Sequence, residues 1–185
     1  MMWRIAVPFV LLIAVAAACN SRNTDDILLE RISKTEARVI PKLDEWEANR
    51  AQDVNLEQDI TSLLRDYAQY ANAHHGDSVA NQMLVKRAEL LLGRGKAEAA
   101  ERQWLDIVEG GADEALLSEA LFRLGFIRET ALMDTTGAMK AYAEVSRLFP
   151  ESAWAKMALE ASKWLTFSEE NFIRAIGEGA REHRD

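Results

Sequence analysis

The chain reads as an all-α protein of antiparallel helical hairpins preceded by an export signal, and three observations carry that reading. From Asp25 onward, apolar residues recur at three- and four-residue spacing, and no alternating β-branched or aromatic run lies between turn signals. Turn-forming residues cluster at Gly76-Asp77, Gly93 to Gly95, Gly110 to Asp113, Asp134 to Gly137 and Pro150 to Ser152, leaving segments of a few helical turns between them. The apolar run Ile5 to Ala18 follows Arg4, the one early charge. It falls short of the ~20 residues a bilayer-spanning helix needs and fits the core of a secretory signal.

Composition narrows the function. With 185 residues, 49% of them apolar, the chain can bury one sizeable core and is neither mostly disordered nor a multi-span membrane protein. Its 30 acidic and 22 basic side chains give a net charge of −8, which argues against a nucleic-acid partner, since neutralising phosphates takes a basic surface. A single Cys forms no internal disulfide and no thiolate zinc site.

The signal, residues 1–18, ends in Val15-Ala16-Ala17-Ala18 just before Cys19. Small residues ahead of the only Cys resemble a bacterial lipobox, with Ala16 where Leu is usual. That resemblance implies a diacylglyceryl thioether on Cys19, cleavage before it, and two or more acyl chains, enough for stable anchoring where one is not. The thioether would consume the only thiol, and thiol and redox chemistry with it. The competing reading is an ordinary Ala-x-Ala cleavage site that leaves a stray Cys. Asn20 rather than Asp follows Cys19, which by resemblance to enterobacterial sorting sends the protein to the outer membrane, facing the periplasm. Residues 19–26 then form a lipidated tether. Loss of Arg4 with the signal deepens the acidic excess, so the body is not drawn onto anionic lipid.

The helical domain spans 27–176. Ile27 to Trp46 has a helical pattern that Pro41 should kink or divide. Leu56, Ile60, Leu63, Leu64, Tyr67, Tyr70 and Ala71 form an amphipathic stripe ahead of Gly76. Ala97, Ala100, Trp104, Ile107 and Val108 make another, ended by Gly110-Gly111. Ala138, Ala141, Tyr142, Val145 and Phe149 make a third, ended by Pro150. Trp154, Met157, Ala158, Ala161 and Leu165 form a further helix, and Ser168-Glu169-Glu170-Asn171 opens a short last one to about Ile176. The tail, 177–185, is polar and should fray.

The punctuation is periodic, with Asp77, Asp113 and Glu151 before successive helices at intervals of 36 and 38 residues. Leu124-Gly125, Ala138, Tyr142 and Pro150 stand at the spacing of the tetratricopeptide repeat, a helix-turn-helix unit of ~34 residues, and the chain resembles that family. A weaker copy has Ala88, Leu91, Gly95, Ala100, Trp104 and Ile107 in the matching places. The better copy departs from the family by Arg128 in place of an aromatic, Val145 in place of Ala, and one extra residue in the turn near Asp134; the weaker has Arg87 in place of Leu and no closing Pro. The resemblance implies a short α-solenoid with units at about 79–112 and 117–152 and helical caps on both sides. In such units a small residue at Gly125 or Ala100 lets helix axes approach, and Tyr142 or Trp104 fills the adjacent gap. The alternative is a helical bundle with accidental periodicity. Residues 16 to 175 together resemble small tetratricopeptide lipoproteins of Bacteroidota and, more distantly, the repeat lipoprotein of the outer-membrane β-barrel assembly machinery and the Tol-Pal-associated repeat protein.

Candidate chemistry is sparse. His74-His75 with Asp77 are metal-ligand residue types, but adjacent helical residues do not share a face, and a solvated helix end explains them. Gly93-Arg94-Gly95-Lys96 lacks the Walker pattern, with Leu90 in place of Gly and Ala97 in place of Ser or Thr, and reads as a helix-helix turn. The pairs Glu169-Glu170 and Asp25-Asp26 sit at helix starts, where the helix dipole accounts for them. No nucleophile-base-acid constellation is present, so no enzyme, cofactor or metal is expected. The expected function is a lipid-anchored scaffold binding a partner protein of unknown identity in envelope assembly or maintenance. The alternative is a structural or self-associating envelope lipoprotein without a dedicated groove. By the repeat alignment, Gln82, Val85 and Glu89, and one unit later Glu119, Phe122 and Phe126, face the concave groove. Phe122 and Phe126 could instead be core, if the last helices fold back over them.

Overall fold

The computed structural model describes residues 24–43 and 54–182, with side chains described as far as Phe167. The expected signal 1–18, the lipidation residue Cys19, Trp46 and residues 183–185 lie outside the described residues. Among the described residues all regular structure is helical. The helices are α1 (24–43), α2 (Val54–Ala73), α3 (Ser78–Gly93), α4 (Ala97–Glu109), α5 (Glu114–Thr130), α6 (Thr135–Leu148) and α7 (Ala153–Glu182). The chain divides into two units, Met1–His74 and His75–Asp185.

In the first unit, α1 and α2 run antiparallel, because their bonded partners step in opposite directions. Arg31 grips Asp66 through Nε–Oδ2 at 2.7 Å and Nη2–Oδ1 at 2.9 Å. Seven residues later on α1, Arg38 grips Asp59, seven residues earlier on α2, at 2.9 and 2.8 Å. Two guanidinium forks two turns apart fix the register by geometry as well as charge. The Tyr67 hydroxyl donates to Glu36 Oε1 at 2.6 Å. Leu28, Ile32 and Val39 on α1 and Leu56, Ile60, Leu63 and Tyr67 on α2 are buried at helical spacing, as the amphipathic pattern of α2 requires. Two expectations need correction here. The tether does not reach residue 26, because residues 24–26 are already helical. Nor does Pro41 divide the helix, which continues to 43. A Pro here removes the one helical bond to the Ala37 carbonyl and leaves the neighbouring bonds in place.

In the second unit each helix packs on the next, and α5 also packs on α7. The connections 94–96, 110–113, 131–134 and 149–152 are three or four residues long, so packed neighbours return antiparallel. The turn residues act as caps. Asp77 accepts from Val79 N at 2.8 Å, Asp113 from Leu116 N at 2.9 Å and Asp134 from Gly137 N at 2.8 Å. Before α7 it is the Ser152 hydroxyl that takes this role, accepting from Ala155 N at 3.0 Å. Helix α3 closes with bonds from Gly95 N to Leu92 O (2.9 Å) and Lys96 N to Leu91 O (3.0 Å). This terminus needs a left-handed residue, which Gly95 supplies at φ 68°. Gly93 to Lys96 is therefore a helix-helix turn, as its departures from the phosphate-loop pattern indicate.

The core of this unit gathers Leu121, Phe122, Ala138, Tyr142, Val145, Ala155 and Ala158 from α5, α6 and α7. A Cβ on Gly125 would lie inside the Tyr142 ring, with Cζ at 3.0 Å and the nearer ring carbons closer still, so the glycine permits the close α5–α6 approach. Arg128 pairs with Glu101 of α4 at 2.7 Å and reaches the Gly137 carbonyl of α6 at 3.4 Å. The C-terminal expectation is corrected as well. There is no separate helix from Ser168 and no frayed segment from 177, because α7 runs unbroken to Glu182. No Pro follows Ala153, so a capping signal at Ser168 has no break to terminate against.

Candidate binding groove

Helix α5 packs on α7, whereas α3 packs on α4 and, among the described residues, not on α5, so the side between α3 and α5 stays open. A groove of about 700 Å³ results, lined by residues of α3, the start of α5 and Trp154 at the start of α7. Val85, Leu116 and Trp154 form its apolar lining, and Gln82, Lys86 and Glu119 its polar lining. Three residues assigned to the concave face by sequence, Gln82, Val85 and Glu119, thus meet in one groove.

The remaining three separate. Glu89 stands beside the groove, its Oε1 3.7 Å from Arg123. Phe126 is 41% exposed and lies seven residues after Glu119, on the same stripe of α5. Phe122 is 7% exposed, which corrects its assignment as a docking side chain. It packs at ring-centroid distances of 5.2 Å on Trp154, 5.7 Å on Tyr142 and 6.5 Å on Phe126. Folding of α7 back onto α5 accounts for this burial.

Sequence reasoning missed the residue at the centre. The Arg123 guanidinium lies 5.5 Å from the Trp154 ring centroid and 6.0 Å from that of Trp104, while Nε and Nη2 donate to Glu119 Oε1 at 3.2 and 3.1 Å. One cation thus ties α3, α4, α5 and α7 together beside the groove and orders the indole that lines it. The sequence signal was a basic residue four after Glu119 on the same helix, a spacing too common to single out.

Elsewhere the candidates stay structural. His74 packs on the Tyr70 ring at 4.5 Å, with Nε2 3.2 Å from Asp25 Oδ1, so it is held in the hairpin and not only solvated. Among the described residues no group of three or more His, Cys, Asp or Glu is placed to hold a metal ion, and no helix is long and apolar enough to cross a membrane. Comparison with protein-family models, curated proteins and solved structures finds no match to the chain.

Proposed function

We propose that this protein is a lipid-anchored tetratricopeptide-type scaffold that faces the periplasm from the outer membrane and holds a partner protein in the groove between α3 and α5, in envelope assembly or maintenance. The pairs α3–α4 and α5–α6 correspond to the two repeat units, with α7 as the first helix beyond them. One observation carries the reading: an open groove that joins an apolar lining of Val85, Leu116 and Trp154 to the polar side chains of Gln82, Lys86 and Glu119. Such a surface takes a helix or an extended segment that inserts an apolar side chain and presents basic or polar neighbours. The lipid anchor rests on Cys19 and the small residues before it.

The test is a pull-down from solubilised membranes with native and variant chains. Val85→Glu and Leu116→Glu, both in the groove lining, should each lose a discrete partner with little change in melting temperature, since both side chains are partly exposed. Equal recovery by both variants would remove the groove from consideration. For the anchor, Cys19→Ser should leave an unprocessed precursor that does not label with palmitate. A normally cleaved product would instead make the site an ordinary signal-peptidase site.

A further inference from the structure

We propose that the outer flank of α7 is an interface through which two copies of this chain pair. Within the second unit, helix α5 is covered by α4, α6 and α7, but α7 by α5 and α6 alone. On α7, Met157, Leu159, Trp164 and Phe167 are 50%, 53%, 69% and 58% exposed, a concentration of large apolar side chains within eleven residues of one helix. Met157, Glu160, Trp164 and Phe167 follow the three-four-three spacing of a helix-pairing seam. Trp164 and Phe167 meet edge to face at 6.2 Å, and Lys163 Nζ lies 2.6 Å from Glu160.

Charge and symmetry point to a second copy as the occupant. The exposed stretch 153–167 carries two lysines and one glutamate in a chain of net charge −8, so it escapes the acidic repulsion between copies. A two-fold interface repeats every contact, with residue i against j and j against i. An antiparallel register centred between Ala161 and Ser162 sets Glu160 of each copy against Lys163 of the other. It also brings Met157 of each copy beside Trp164 and Phe167 of the other. Opposite charges and apolar groups are matched in a single register. Leu159 lies off this seam, and covering Met157, Trp164 and Phe167 removes roughly 400 Å² per copy, about 800 Å² for the pair, the size of a weak, reversible association. These residues lie outside the groove, so this proposal and the partner reading stand or fall separately.

Sedimentation of the full chain in mild detergent over a range of concentrations tests it. The native chain should show a reversible monomer–dimer equilibrium. Trp164→Ser and Glu160→Lys should each weaken it at least tenfold while leaving circular dichroism unchanged. The double variant Glu160→Lys with Lys163→Glu reverses both charges, keeps the match between copies and should restore pairing. A native chain that stays monomeric, association that survives Trp164→Ser, or a double variant that fails to recover would each overturn the proposal.

Discussion

At Gly125 a single missing methyl group sets how near two helices lie. The Tyr142 ring occupies the volume a side chain would need, and its hydroxyl donates to Glu129 Oε2 at 2.7 Å, so the ring is bonded at its polar end as well as packed. Gly125→Leu must therefore displace the ring and break that bond, which predicts a loss of about 3 kcal/mol or more in chemical denaturation. An unchanged midpoint would contradict the packing described. This close approach was legible in the sequence, since a helix-interior glycine costs about 1 kcal/mol and needs compensation. The split between Phe122 and Phe126 was not. Both fall near one stripe of α5, and only the return of α7 buries the first and leaves the second open.

Among the elements, amphipathic helices were the easiest to foresee. Helices α2, α4 and α6 each bury one stripe against neighbours, and their stripes are plain in the chain. Helix α5 differs. Its buried residues, Ser118, Ala120, Leu121, Phe122, Leu124, Gly125 and Ile127, run round most of its circumference because α4, α6 and α7 surround it. In the α5–α6 turn one residue is left-handed. Met133 takes φ 55° with its side chain 80% exposed, a left-handed conformation that costs a residue bearing a Cβ about 1–2 kcal/mol. Met133→Gly should relieve this strain, less the entropy a glycine adds to the unfolded chain, for a net gain of about 0.5–1 kcal/mol. Thermal melting reads that gain as a rise of a few degrees, and a fall would exclude strain at this turn.

At the scale of the molecule, two groups on different units set opposite limits on stability. Burial and then the bond to Glu129 push the Tyr142 phenol far above its ordinary 10.0. The unfolded chain therefore releases this proton first. The contribution of the neutral phenol is complete below about pH 10 and declines as pH rises toward the folded value. On the acid side, the Arg38 hydrogen bond holds Asp59 below its ordinary 3.8, so its contribution is complete above that value and is lost as pH falls through the folded one. Melting temperature should thus be level between about pH 5 and 9 and fall at both ends. Tyr142→Phe should flatten the alkaline limb and leave the acid limb as it is, whereas equal alkaline slopes in both proteins would remove Tyr142 as the cause.

The sequence by itself determined the helical class, the turns from Gly76 to Ser152 and the capping Asp77 and Asp113, because hydrophobic period and N-cap chemistry act within a few residues of one another, whereas the breaks expected at Pro41 and Ser168 are absent. It also determined that Gly125 and Tyr142 belong together. Only the tertiary structure decided which apolar residues become core and which stay exposed. Trp164 and Leu165 are neighbours of similar character, yet Leu165 packs against the core and Trp164 is open, because α6 and α5 cover one side of α7 and no other helix of the second unit covers the other. The same holds for the ties across elements. Arg31 with Asp66, Arg38 with Asp59, and Arg123 between two indoles join residues distant in sequence. Such pairs exist only once packing has set the helices' register, and no local pattern in the chain encodes that distance.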